Sequence, residues 1–375
     1  MKRLRLAAGL LGAVSGMGYA QSSATIYGIA DLGLRYTNDV GGGLSKLETS
    51  SGTPNRIGFR GVEDLGGGMA ALFTLENGFN MKNGALGQGG RLFGRQSFVG
   101  LQSTSLGKLT LGRQYDSVVD YLQPHSAGGR TWAGGLGSHF GDIDNVNNTF
   151  RFNNAIKYTS PDINGLVFGG AYSFGEAAGN NATNSAFSGG IRFNAGAWDF
   201  AAAYMNVNNP ITSVYDGNPA TNSISGAFGY GASPYVGLQY ADKMKVGGAG
   251  VSYTVGLAKF GVLYTDTRLP NSFLAKGDAK YQNLELNAQY ELSPTIQLGG
   301  AYTYTAGRWD ANNSKPKYHQ INLGFVYHFS KQTDFYIQSV YQRAAGDAKF
   351  ANINLLPAAG GSSQFTTQFA LRKIF

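Results

Sequence analysis

Apolar and polar residues alternate one by one through most of this chain, and this alternation constrains the fold more than any other feature. In residues 317–329 the apolar positions are Ile321, Leu323, Phe325, Tyr327 and Phe329. The positions between them hold Gln320, Asn322, Gly324 and His328. Residues 365–375 repeat the pattern. A period of two predicts strands that present one apolar and one polar face.

Two kinds of connection alternate along the chain. Short, turn-rich links lie at residues 63–68, 103–107, 160–165, 194–196, 255–257, 292–294 and 330–332. Longer polar stretches cover residues 38–53, 81–91, 116–149, 176–186, 207–244, 269–278, 306–315 and 344–362. These links predict about sixteen antiparallel strands, with both chain ends at the rim that holds the short turns.

The composition narrows the choice among all-β folds. The chain has 56 glycines, 22 tyrosines and 23 phenylalanines among 375 residues, and only 14% of its residues are charged. Beyond the N-terminus no apolar stretch approaches the roughly 20 residues of a membrane-spanning helix. Aromatic residues near predicted strand ends, such as Tyr264 and Tyr304, favour a transmembrane antiparallel β-barrel over a secreted β-sandwich. A barrel of this size leaves an aqueous channel, because side chains cannot fill it.

The N-terminus has the three parts of a secretory signal peptide. Lys2, Arg3 and Arg5 form a basic region, residues 6–14 are apolar, and small residues follow up to Ala20. We therefore expect a cleaved signal at residues 1–20 and one barrel domain at residues 21–375. Cleavage lowers the formal charge from +8 to +5, because three of 30 basic residues are lost and all 22 acidic residues remain. Without a basic run, we expect no nucleic-acid partner.

Several segments, spread over the chain in a fixed order, carry a family pattern. They are IYGIAD at 26–31, NRIGFRGVEDLGGG at 55–68, FGRQ at 93–96, LTLGRQYD at 109–116, NNAIKY at 153–158, residues 319–331, and LRKIF at 371–375. In this order they resemble the trimeric general porins of Gram-negative bacteria, in particular the β-proteobacterial branch with the Neisseria, Bordetella and Comamonas porins.

The resemblance implies a sixteen-stranded barrel in the outer membrane with its third loop folded into the lumen. It also implies a homotrimer, surrounded by outer-membrane lipid and lipopolysaccharide. The terminal Phe375 would serve as part of the signal that the barrel-assembly machinery reads.

Strand alternation predicts which basic residues face the lumen. Because Ile57 and Phe59 occupy the lipid face, Arg56 and Arg60 point inward. The same reasoning places Phe152, Ile156 and Tyr158 on the lipid face of their strand, so that Arg151 points inward. Arginine suits a selectivity role, because it stays charged at any relevant pH.

Two further arginines have no clear side. Arg95 and Arg113 share the parity of apolar residues, but each lies near a strand end, where a bulge can change the parity. The resemblance implies that Arg56, Arg95 and Arg151 form a basic cluster on the wall opposite the third loop. We expect this cluster to contribute to ion selectivity, and we extend the expectation to Arg60 and Arg113.

The third loop, residues 116–149, is predicted to form the constriction, and its acidic residues are Asp116, Asp120, Asp142 and Asp144. Carboxylates opposite the arginines would set up a transverse field across the pore. We favour Asp116 and Asp120, which lie next to the strand, and Glu76 is a further lumen candidate. Two alternatives stay open: the arginines pair with loop carboxylates and only fix the loop, or the aspartates cap turns.

Passive diffusion needs no catalytic residue, and we predict a water-filled channel for small hydrophilic solutes and ions rather than an enzyme. The basic wall and the positive net charge predict a preference for anions. A channel selective for organic anions or sugars is the main alternative. A barrel enzyme would need a Ser–His pair at the outer rim, which the sequence does not suggest, and the long stretch 207–244 leaves an adhesin role open. We expect no cofactor and no metal site.

Overall fold

The computed structural model describes residues 23–214, 237–238 and 240–375. The predicted signal peptide, residues 1–20, lies outside this part of the chain. Most of the long stretch predicted at residues 207–244 lies outside it as well.

The described residues form one antiparallel sheet and a few short helices. The strands are β1 (Ser23–Thr37), β2 (Lys46–Ser50), β3 (Arg56–Gly66), β4 (Met69–Gly78), β5 (Gln96–Ser103), β6 (Gly107–Gln114), β7 (Phe152–Thr159), β8 (Leu166–Ser173), β9 (Ala186–Ala195), β10 (Trp198–Asn208), β11 (Lys243–Val255), β12 (Ala258–Ser272), β13 (Gly277–Ser293), β14 (Ile296–Trp309), β15 (Pro316–Ser330), β16 (Thr333–Gly346) and β17 (Ser363–Ile374). The helices are α1 (Ser117–Leu122) and α2 (Pro210–Ser213), with 3-10 turns at Gln88–Gly90, Gln123–His125, Gly134–Gly137 and Phe140–Asp142. Among the described residues, no helix is long and apolar enough to cross a membrane.

The sheet closes on itself through its first and last strands. β1 pairs with β17 along one edge, from Ile29–Ile374 to Thr37–Thr366. Along its other edge β1 pairs first with β3 and then with β2, so these two short strands are segments of one barrel strand. The result is the predicted antiparallel barrel of sixteen strands. The long loop predicted at residues 38–53 is wrong in extent, because it contains β2.

The two faces of the barrel follow the alternation of the sequence. In β15, Leu323 is 59% exposed on the outer face, whereas the neighbouring Asn322 is buried on the inner face. Ala301 and Val340, the cross-strand partners of Asn322, are also buried, so this side of each strand turns inward. The outer face is therefore apolar and suited to lipid.

Phe152 is an exception to the predicted alternation. Asn154 has a φ of 44°, and the register between β6 and β7 shifts after Gly112. This irregularity reverses the parity at the start of β7, so that Phe152 is fully buried in a cluster with Phe150 and Val118. The assignment of Phe152 to the lipid face is wrong for this reason.

The third loop, residues 115–151, lies inside the barrel, as predicted. Its helix α1 packs against β9, β10 and β11. Farther along, the Gly135 amide donates to the Gly52 carbonyl at 3.1 Å, and the side-chain amide of Gln338 donates to the Thr131 carbonyl at 3.2 Å. The loop thus covers a large part of the inner wall between β9 and β16.

Glycines on the inner wall make room for this loop. Gly299 and Gly324 are cross-strand partners in β14 and β15, and a Cβ atom at either position would overlap the buried Trp132 of the loop. Gly190 makes the same kind of room for the ring of Tyr121. Part of the high glycine content therefore serves the close approach of loop and wall.

Candidate pore constriction

Three arginines lie at neighbouring strand ends on the wall that the third loop leaves open. Arg56 is the first residue of β3, Arg95 directly precedes β5, and Arg151 directly precedes β7. All three ends belong to the rim with the long connections. Although Arg95 has the parity of outward residues, its contacts with Glu76 place its guanidinium inside, because the strand has not yet begun.

Glu76 is in contact with this group from β4. Its carboxylate accepts a hydrogen bond from Arg95 Nε at 2.6 Å and one from the Tyr27 hydroxyl at 3.0 Å. Both Glu76 and Arg95 are almost fully buried. A buried pair of this kind holds its members in place, because either charge alone would lack solvation.

Tyr115, at the start of the third loop, connects the two buried arginines. Its hydroxyl accepts a hydrogen bond from Arg95 Nη2 at 2.8 Å, and the Arg151 guanidinium lies 5.3 Å from the centre of its ring. Arg151 also donates to Asn148 Oδ1 at 2.8 Å. Among the described residues, none of these arginines forms an ion pair with a loop carboxylate, as the open alternative required. Arg151 nevertheless holds the end of the loop, through the amide oxygen of Asn148.

Arg56 and Arg60 are the more accessible members of the group. Arg60 is exposed in the lumen, and its guanidinium lies 5.2 Å from the centre of the Tyr27 ring. Arg56 is partly exposed and is electrostatically coupled to both Arg95 and Glu76. Among the described residues, Glu76 is the only carboxylate in ion-pair contact with any of the four arginines, so four positive charges face one negative charge.

Asp116 does not face the lumen, contrary to expectation. It caps the N-terminus of α1, accepting from the amides of Val118 at 2.8 Å and Val119 at 3.3 Å. Its other oxygen accepts from the side-chain amide of Asn145 at 2.7 Å. Burial and the nearby charge of Asp120 raise its pKa to about 6. The capping alternative is therefore the correct one for Asp116.

Asp120 is exposed, one turn farther along α1, and its carboxylate forms an ion pair with Lys157 of β7. Lys157 also donates to the Tyr115 carbonyl at 3.0 Å. Asp120 therefore neutralises a lysine and is not in ion-pair contact with the arginines.

Asp144 and His139 fix the middle of the third loop to the wall. His139 Nδ1 lies 2.6 Å from Asp144 Oδ2, and its Nε2 lies 3.2 Å from a carboxylate oxygen of Glu285 on β13. Asp144 also accepts from Thr265 Oγ1 at 2.6 Å and from the Asn283 side chain at 3.1 Å. Asp144 therefore does not contribute to the predicted transverse field, because its carboxylate is used in the contact between the loop and the wall. We call this contact of Asp144 and His139 the loop anchor.

The electrostatics of the anchor follow from these contacts. Burial disfavours the charged imidazole, but Asp144 and Glu285 outweigh it and raise the pKa of His139 to about 10. Burial likewise disfavours charge on Asp144, but His139 and the hydrogen bonds keep its pKa below the usual value.

Burial and the charge of Asp144 raise the pKa of Asp142 to about 7. Asp142 accepts bonds from the amides of Asn147 and Thr149, so it stabilises a turn.

Arg113 lies at the register shift of β6. Its Nε donates to the Gly94 carbonyl at 2.8 Å, and its guanidinium also contacts the side chain of Asn153. These bonds join the ends of β5 and β7 through β6. Arg113 thereby supports the strand ends that carry Arg95 and Arg151.

A second basic group lies nearer the rim with the short turns and was missed from the sequence. Arg192 forms a two-point ion pair with Asp199, with N–O distances of 2.8 and 2.7 Å. Lys259 and the loop residue Arg130 are electrostatically coupled to this pair. The inward parity of Arg192 and Lys259 was a usable signal, whereas the position of Arg130 depends on the loop. Strand alternation could also have placed Tyr27 on the lumen side of β1. Tyr115 lies at the start of the third loop, where alternation does not apply.

The comparisons with known proteins agree with this geometry. Residues 7–347 match the family model described as Gram-negative porin. The chain belongs to the Gram-negative porins. An outer membrane porin protein of Bordetella pertussis is 31% identical, over 92% of this chain and 94% of that protein. Porins are channels of the outer membrane, so this porin lies there, with its long loops outside and its short turns in the periplasm.

Two solved structures show the same fold as this porin. The anion-selective porin from Comamonas acidovorans has a TM-score of 0.73 and 23% identity, and the match covers 95% of this chain and 100% of that chain. OmpT of Vibrio cholerae in its trimer form has a TM-score of 0.68 and 14% identity, covering 94% and 99% of the two chains. In the described part of this porin, no group of His, Asp and Glu side chains is arranged to hold a metal ion.

Proposed function

We propose that this porin conducts small anions in preference to cations, and that Arg56, Arg60, Arg95 and Arg151 set this preference. The carrying observation is the imbalance at the constriction, where, within the described part of the chain, these four arginines contact one carboxylate, that of Glu76. The loop carboxylates do not restore the balance. Asp116 caps α1, Asp142 stabilises a turn and Asp144 holds the loop to the wall. Asp120 is neutralised by Lys157.

Accessibility divides the roles within this cluster. Arg56 and Arg60 can meet a passing ion directly, whereas Arg95 and Arg151 are each only 2% exposed and contribute mainly through their field. The field acts at short range in water and over longer distances next to low-dielectric walls. Lys259 and Arg130 extend the positive potential toward the periplasmic mouth. The anion selectivity named for the Comamonas acidovorans porin agrees with this proposal.

The zero-current potential in a KCl gradient across a planar bilayer tests the proposed preference. We expect the sign that corresponds to faster chloride than potassium movement. The opposite sign would overturn the proposal. Saturable block by one organic anion or sugar, with other solutes of the same size passing freely, would instead identify a substrate-selective channel.

We further propose that the porin is a homotrimer in contact with lipopolysaccharide, after removal of residues 1–20. The trimer form of the structurally similar OmpT supports the first part.

For assembly, we propose that Phe375 is part of the signal that the barrel-assembly machinery reads. Its amide and carbonyl bond to Gly28 at 3.1 and 2.8 Å, and its ring covers Gly28, so it completes the seam between β17 and β1. Cross-linking of the purified oligomer tests the trimer, and a Phe375 deletion tests assembly.

A further inference from the structure

Arg130, in the third loop, has a guanidinium group that makes no hydrogen bond to any of the described residues. Its Nε and Nη2 atoms are both buried, yet neither has an acceptor. These two nitrogens form one edge of the planar group, and such an edge binds a carboxylate or a phosphate at two points. Buried polar atoms in folded proteins are normally hydrogen-bonded. The unused edge therefore indicates an acceptor that comes from outside the protein.

The neighbouring Arg192 shows what this edge binds. Its Nε and Nη2 lie 2.8 and 2.7 Å from the two carboxylate oxygens of Asp199. Asp199 is thus already paired, although its charge also acts on Arg130. Glu285, the other carboxylate that acts on Arg130, accepts from the Ala127 amide at 2.6 Å and belongs to the contacts of His139. Neither carboxylate is bonded to Arg130.

The surroundings of Arg130 are positive. Lys259 of β12 is electrostatically coupled to Arg130 and to Arg192, and we call these three residues the second basic group. Even when Asp199 and Glu285 are both counted, three cations face two carboxylates. The group therefore keeps an excess of positive charge, which favours an external anion.

The second basic group is separate from the arginines of the open wall. Lys259 is the second residue of β12, and Arg192 lies three residues before the end of β9. Both are next to short turns, roughly 10 Å or less along the strand from the periplasmic rim. The side chain of Arg192 is 43% exposed, and Lys259 is partly exposed. An ion in the periplasmic half of the lumen can therefore reach the group.

We propose that the second basic group is a binding subsite for oxyanions, that is, for small solutes with a carboxylate or phosphate group. Arg130 holds two oxygens of the ligand through its Nε and Nη2 edge, and Lys259 supplies a further charged donor. A chloride ion matches this edge less well, because it offers one atom to two parallel donors. The inference rests on the proposed conduction of anions and adds the chemical class that the periplasmic half of the lumen recognises.

Single-channel recording of the full porin in a planar bilayer, in KCl, tests the subsite. The probes are inorganic phosphate and succinate, added at increasing concentration. Arg130→Lys keeps the positive charge and removes the two-point edge, and it breaks no side-chain hydrogen bond to the described residues. Arg343→Lys, the same change at an exposed arginine on the outer face of β16, is the matched control.

We expect both probes to block the chloride current of the wild type and of Arg343→Lys at the same concentration. Arg130→Lys should need about 10-fold more of either probe, since one charge-assisted contact replaces two. Block by both probes distinguishes a subsite for a chemical class from a channel for one substrate. An unchanged block in Arg130→Lys, or no block in the wild type, would overturn the proposal.

The zero-current potential of the same channels in KCl alone separates this proposal from that of the ion preference. A cation preference together with an Arg130-dependent block would overturn the ion preference and leave the subsite. An anion preference without this block would overturn the subsite and leave the ion preference.

Discussion

The two halves of the inner wall at the constriction are built in different ways. On β3–β7 the wall is open and carries Arg56, Arg60, Arg95 and Arg151. In the part of the chain that the structure describes, Glu76 is their one carboxylate contact. On β9–β16 the third loop covers the wall, where its apolar side chains and the carboxylates of Asp116, Asp142 and Asp144 are buried. We propose that the open half presents charge to solutes, whereas the covered half determines how wide the passage is.

This difference teaches that the acids of the loop are structural. A transverse field needs both signs of charge facing the water. Here the loop turns Asp116 and Asp144 toward its own amides and toward the barrel. We propose that the field in the passage therefore comes mainly from the arginines. The variants below separate the width set by the loop from the charge set by the open wall.

Displacing the loop from its wall should have the largest effect. Gly324→Val places side-chain atoms where Trp132 packs, and overpacking of this kind costs about 1–3 kcal/mol or more. We expect larger and noisier single-channel conductance, with the anion preference reduced but not reversed. Gly300→Val, on the lipid face, is the matched control, because its Cβ would lie 3.7 Å from the nearest atom. Normal conductance in Gly324→Val would contradict the packing account.

Alkaline pH should loosen the same loop more gently. Because the pKa of His139 is raised in the folded protein, its charged imidazole stabilises the loop anchor. This contribution is fully present below the ordinary pKa of 6.5 and is lost as the pH rises toward about 10. We expect single-channel noise to increase between neutral pH and about 10. His139→Gln should be noisier at neutral pH and lose this alkaline response. A wild type that stays equally quiet over this range would rule out the proposed anchor.

Removing the carboxylate of the open wall should change both stability and selectivity. Glu76→Gln leaves Arg95 without its ion-pair partner, and breaking a buried pair costs about 3–5 kcal/mol. Because one negative charge is lost beside four arginines, the anion preference should increase. Thermal unfolding and zero-current potential measure the two effects. A lower anion preference would show that Glu76 acts on the pore in some way other than through its charge.

The smallest effect is expected for the cap of α1. Asp116→Ala should cost about 1 kcal/mol of stability, as for other N-caps, and Asp116→Asn should cost less because asparagine also caps helices. Neither variant should change the zero-current potential. A marked gain in anion preference in both variants would mean that Asp116 reaches the lumen after all.

The barrel could be predicted from sequence because strand alternation and turn spacing are local signals. The lumen side of Arg56 and Glu76 followed from the same alternation. It failed at Phe152, where the positive φ of Asn154 changes the parity, and at Arg95, which precedes its strand. The role of Asp116 had a local signal, since an aspartate directly before an apolar helix is a typical N-cap. The contacts that His139 and Trp132 make with the wall had no local sequence signal, because their partners lie on distant strands.

The central claim is that the open wall determines ion preference, and Arg56→Gln with Arg60→Gln tests it most directly. The measurement is the zero-current potential of this variant against the wild type, at low and at high salt. We expect an anion-preferring wild type and a permeability ratio reduced by about 30-fold in the variant, since it removes two nearby charges and each is worth about 1 kcal/mol. The difference should shrink at high salt, where the Debye length is about 3 Å. An unchanged ratio in the variant, with normal conductance, would contradict the account.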